Sequence, residues 1–305
     1  MALVLLIFDK ISRIFCNSPI LILQTEIHFH SRLFSLIAYS GAVVCMQKYQ
    51  EFLEHTVSTQ TRSIQSYVID DLKVWLKKAS QRHPWWLYLP LQWISKCLNL
   101  QILAPVPNYG GSDAIRCEAK RIRQLEQIGI SVPKVLAESN SGLLIQDIAN
   151  HDQQLKQLDH AFAQEPNFEK RKHLFNITIQ ALKHIHSKNC YLSEAFARNI
   201  LVDSQDHISF IDFETDPHIT LPLEICQARD WLCLLFSTAF RFKPEERPII
   251  EQLVKDELKD RQDILFQLAK VGRRFAWLNR VGVEKTGNDG KRMKVFLIFL
   301  KNLQS

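Results

Sequence analysis

Glu194 is followed by Asn199 five positions on, and Asn199 by Asp212-Phe213-Glu214 thirteen positions later. Carboxylate and amide oxygens are hard donors, the kind a magnesium ion selects. Between them, ILVD and ISFIDF read as two short strands of a hairpin, whose closure brings Asn199 and Asp212 to one end. Such donors suit phosphoryl transfer, in which a protein does little covalent work. It needs metal on the phosphates, a cation on the outer ones and a group that orients the attacking hydroxyl. Upstream, Val74-Trp75-Leu76-Lys77 offers a cation, and Glu118 lies between Ile115 and Ile122 on the apolar face of a helix. A carboxylate turned inward is costly unless a cation meets it, and Lys77 is the candidate. Taken singly, Lys77 reads as a surface lysine and Glu118 as a flank that reaches water.

The elements that must position these residues follow from periodicity. MQKYQEFLEHTVSTQT, from Met46 to Thr61, is polar and helix-compatible, and Tyr67 to Ile69 and Leu72 to Lys77 flank a tight turn at Asp70-Asp71. SDAIRCEAKRIRQLEQIG reads as a helix with Ser112 as N-cap and Gly129 as C-cap. VPKVLAES and GLLIQDI supply two more strands, joined by residues 140 to 142. Beyond them the pattern is helical. A one-faced helix runs through residues 168 to 188, a nearly continuous apolar helix over 228 to 237, and further amphipathic helix from 244 to 275. A strand-rich lobe precedes a larger helical one, an α+β layout.

Together these motifs resemble the eukaryotic-like protein kinase superfamily over residues 67 to 240. The likeness is strongest to the bacterial branch of lipopolysaccharide core (Kdo and heptose) kinases and to the kinases of the tRNA-modification (KEOPS-type) complex. The resemblance implies a two-lobe fold: an N-lobe over 46–148 carrying an insertion at 81–107, and a helical C-lobe over 149–305 with its catalytic-loop-like segment at 190–216. It implies ATP and Mg²⁺ as cofactors, Asn199 and Asp212 as metal ligands, and Lys77 on the ATP phosphates with Glu118 as its partner. Glu194 sits where the superfamily has its catalytic Asp, and Asp230 would support the catalytic loop. The departures are specific. No GxGxxG is present, HxD reads Leu192-Ser193-Glu194, DFG reads Asp212-Phe213-Glu214, and no APE follows. Two functions stay open: a phosphotransferase acting on a sugar, lipid-linked sugar or protein hydroxyl, and a pseudokinase scaffold that binds nucleotide or a partner.

Composition bounds the rest. The chain has 305 residues, 46% hydrophobic and 23% charged, which excludes wholesale disorder and allows a sizeable core. A net charge of +6 is too small to argue for nucleic acid. Seven scattered cysteines without a CxxC pair read as reduced thiols, hence a cytoplasmic setting. Residues 1–45 form an apolar leader whose runs fall short of the roughly 18 residues a membrane span needs; translation is read as starting at Met46. Trp85, Trp86 and Trp93, with Tyr88 and nearby basic residues, have the composition of a membrane-interface belt. Ordinary packing of those rings against the lobes is the competing reading. A third function, a peripheral membrane adaptor, rests on that insertion alone.

Overall fold

The computed structural model describes residues 46–80, 96, 98–106, 108, 110–149, 155–279 and 282–303. The leader and the Trp85, Trp86 and Trp93 belt lie outside them. A helix over residues 46–59 (α1) leads into β1 (Ile64–Ile69) and β2 (Leu72–Lys78). Their two-residue connection puts Asp70 at φ 49° and Asp71 at φ 64°. Two successive left-handed residues match the right-handed twist of a hairpin, and Asp tolerates the conformation better than most side chains. With β3 (Val135–Glu138) and β4 (Gly142–Gln146) they form an antiparallel sheet in the order β1-β2-β4-β3.

Strand alternation decides where Lys77 goes. Val74 and Leu76 are fully buried in a small core with Tyr49, Leu53 and Val57 of α1. The period of two then sends Trp75 and Lys77 to the opposite face. That face is covered by α2 (Gly111–Gln127), whose Ile115, Ala119, Ile122 and Leu125 pack with Leu143 and Ile145 of β4. Ser112 does not cap this helix: Gly110, at φ 68°, is the N-cap and Ser112 lies in the first turn, where its hydroxyl accepts from Arg116. At the other end the C-cap is Ile128, one residue before the glycine expected there. Gly129, at φ 79°, follows the last turn, its N–H reaching Glu126 O at 2.9 Å while Ile130 N–H reaches Leu125 O at 3.0 Å.

The second half is helical apart from a small sheet of β5 (Lys156–Gln157), β6 (Ile200–Val202) and β7 (Ile208–Phe210). After α3 (Leu158–Gln164) come α4 (Phe168–Ser187) and α5 (Leu223–Thr238). The long amphipathic stretch that follows is two helices, α6 (Arg247–Glu257) and α7 (Gln262–Phe275), and α8 (Asn288–Asn302) completes the body. One continuous core joins the α2 face of the sheet to these helices. The centre of that core is α5, with Trp231, Leu234 and Leu235 fully buried. Cys226 and Cys233, free thiols on the same helix, are pushed by burial up to about 12 and so stay protonated and inert. Among the described residues no helix is long and apolar enough to cross a membrane.

Candidate active site

Four of the five candidate residues converge where the sheet meets the helical body. Lys77 Nζ lies 2.8 Å from Glu118 Oε2, 3.3 Å from Asp212 Oδ1 and 2.7 Å from Glu214 Oε1. Lys77 arrives from β2, Glu118 from the inward face of α2, and the other two acids from the segment after β7. Burial alone would lower the Lys77 pKa, but the three carboxylates outweigh it and hold it well above the usual lysine value. Burial pushes the Glu118 carboxyl up, and the adjacent Lys77 offsets only part of that rise. For Glu214 the balance is reversed: burial raises its pKa, yet Lys77 and Asn108 together hold it below the usual carboxylate value.

Asn199, the fourth, is buried at the foot of the hairpin, with β6 paired to β7 from Ile200 opposite Phe210. Its carbonyl accepts from Ile211 N–H at 3.0 Å, which sets Asp212 beside it. Asp212 takes φ 71°, and Ser193, next to Glu194, takes φ 88°. Left-handed backbone at a non-glycine residue costs on the order of 1–3 kcal/mol and persists only where the surroundings over-determine it. The surroundings here do. Leu192 N–H donates to Asp230 Oδ2 at 2.8 Å, and Ala197 N–H to Ser237 Oγ at 2.9 Å, so the loop hangs from α5 at two points. Asp230 is fully buried and also contacts His186 Nε2 at 3.1 Å, which accounts for that histidine as packing within the core.

Glu194 is the fifth residue and is tied to Asn199. Its backbone carbonyl accepts from Asn199 Nδ2 at 3.2 Å, and its carboxylate is 3.9 Å from Arg198. Burial, then the nearby Asp212 charge, raise its pKa above the usual glutamate value, with Arg198 and Arg229 opposing. A raised carboxyl is a stronger base once ionised.

Two residues of the site, Glu214 and Arg121, were not foreseen from sequence. Glu214, read only as a lost glycine, is in direct contact with Lys77, and Asn108 Nδ2 donates to its other oxygen at 3.0 Å. Arg121, on α2, donates to the carbonyl of Tyr191 and stacks 4.1 Å from the centre of that ring, tying the helix to the loop. Neither partner is a neighbour in sequence, so no periodicity marks them.

The donor set fits magnesium. Asp212 contributes a carboxylate with a side chain 41% exposed, and Asn199, its nitrogen spent on Glu194, presents an amide oxygen. Among the described residues no group of three or more His, Cys, Asp or Glu side chains is arranged to hold an ion by itself. A pair of oxygen donors completed by phosphates is the usual magnesium arrangement, whereas a full protein cage is not.

An antiparallel sheet over a helical body, with a strand lysine paired to a helix glutamate above a hairpin-borne Asn and Asp, is the layout of a two-lobed, protein-kinase-like chain. Residues 110–254 match the lipopolysaccharide kinase (Kdo/WaaP) family, a kinase-like family. The matched segment carries Glu118, Glu194, Asn199, Asp212, Glu214 and Asp230; Lys77 lies upstream of it. No curated protein matches the chain.

Proposed function

We propose that this chain is an ATP- and Mg²⁺-dependent phosphotransferase that moves a γ-phosphate to the hydroxyl of a sugar or lipid-linked sugar on the cytoplasmic side. The observation that carries it is the meeting of Lys77, Glu118 and Asp212, from three separate elements, above Asn199. Lys77 places positive charge on the outer phosphates, and Glu118 holds the ammonium in place. Asn199 and Asp212 hold the metal, which when bound neutralises charge on the phosphates. Glu194 takes the acceptor proton as the hydroxyl oxygen attacks the γ-phosphorus. The bond from that phosphorus to the bridging oxygen breaks, and the electrons leave with ADP. Asp230 touches no reactant; it positions the loop that carries Glu194. The family match favours a saccharide acceptor, and a protein hydroxyl is the acceptor to compare.

Thermal unfolding with ATP, with and without Mg²⁺, tests this. At roughly 100-fold excess over Kd, binding adds about 2.7 kcal/mol. Asp212→Ala should remove the metal-dependent part and keep the fold. If ATP shifts nothing in either case, the nucleotide reading fails. If ATP binds but labelled phosphate reaches no sugar, lipid extract or protein, the chain is a nucleotide-binding scaffold.

A further inference from the structure

A lysine ammonium has three N–H donors, and around Lys77 stand three carboxylates: Glu118, Asp212 and Glu214. A phosphate oxygen can therefore reach Lys77 only by displacing one of them. Glu118 is the least able to leave. Its side chain is 3% exposed, and a buried carboxylate parted from its cation is strongly disfavoured. Asp212 is fixed by a left-handed backbone whose preceding N–H is bound to Asn199. Glu214 makes the shortest contact, 2.7 Å, and its side chain is 28% exposed, so it has room to swing aside. Its second oxygen is held by Asn108, whose own side-chain oxygen accepts from Gly110 N–H at 3.0 Å, at the start of α2.

We propose that Glu214 occupies the phosphate position on Lys77 and selects metal-chelated over free nucleoside triphosphate. The inference rests on the nucleotide reading above. Free triphosphate meets two carboxylates facing the same cation and must displace Glu214 against like-charge repulsion. The magnesium complex arrives with much of that charge neutralised, so displacement costs less. The selection is thus made by a residue that need not touch the transferred phosphoryl group.

Calorimetric titration of the full chain with ATP, once in EDTA and once in excess Mg²⁺, tests the idea without measuring turnover. Glu214→Gln should tighten metal-free ATP by about tenfold or more, a difference of about 1.4 kcal/mol, and narrow the gap between the two conditions. Asn108→Ala, which frees the carboxylate from its tether, should move metal-free affinity in the same direction by a smaller factor. It serves as the test if the glutamine variant does not fold. Binding of Mg·ATP by the wild type, with metal-free affinity unchanged or weaker in the variants, overturns the role of Glu214 and leaves the nucleotide reading standing. No binding by any form in either condition removes both. Binding by Glu214→Gln where the wild type shows none supports the role directly.

Discussion

Glu118 in the strand-rich half and Asp230 in the helical half are both buried acids, and their partners differ in kind. Glu118 meets a side chain, the Lys77 ammonium. Asp230 meets a backbone N–H, that of Leu192, together with the His186 ring. A side-chain partner can move with its strand and can be removed by substitution; a backbone partner can be neither replaced nor re-aimed without moving the chain. The upper contact is therefore suited to a part that adjusts when a ligand enters, and the lower to a part that must stay still.

That contrast can be broken experimentally. The largest effect is expected from Asp230→Ala, which strands two buried groups at about 1–3 kcal/mol each and leaves a small void. Urea unfolding should show a loss of about 4 kcal/mol. Adding His186→Phe should recover only the share of the ring, and full recovery would mean that the backbone contact is unimportant. Lys77→Met should cost about 3 kcal/mol, as breaking a buried pair does, and Glu118→Gln in the same chain should restore most of it. A double variant no more stable than the single would show that Lys77 matters through Asp212 and Glu214 instead.

The same contact has a pH signature. Because the folded-state pKa of Lys77 is raised, its contribution is complete below the ordinary 10.5 and is lost as pH climbs above that value. Urea midpoints on either side of pH 10.5 should fall more steeply for the wild type than for Lys77→Met. Arg121→Met, which cuts the tie between α2 and the Tyr191 carbonyl, should cost about 1–2 kcal/mol. Least of all, Arg198→Ala should change stability by under about 0.5 kcal/mol, since its ion pair with Glu194 is long and half exposed. A larger loss there would place that arginine in the framework of the loop.

What could be read from residue order was whatever depends on local spacing. The Asp70-Asp71 turn, the β6-β7 hairpin and the inward glutamate of α2 all follow from periods of two or 3.6. Lys77 and Glu118 could be paired at a distance because the kinase-like motif order named both and an inward charge needs a cation. The start of α2 was misplaced because Ser112 is a good capping residue by type, whereas two successive left-handed glycines, Gly110 and Gly111, begin the helix just before it. Glu214 escaped notice for a different reason. Its partners, Lys77 and Asn108, belong to other elements, and a motif comparison registers such a residue only as a missing glycine. Which acid meets which cation across a fold is set by tertiary closure, which leaves no periodic trace.

The tight turn between β1 and β2 has a consequence of its own. With only two residues at its tip, both acidic, and Lys48 of α1 gripping Asp70, this edge has no length to fold down as a flap. On the nucleotide reading proposed above, a triphosphate would come and go past a short two-residue rim rather than beneath a folding cover.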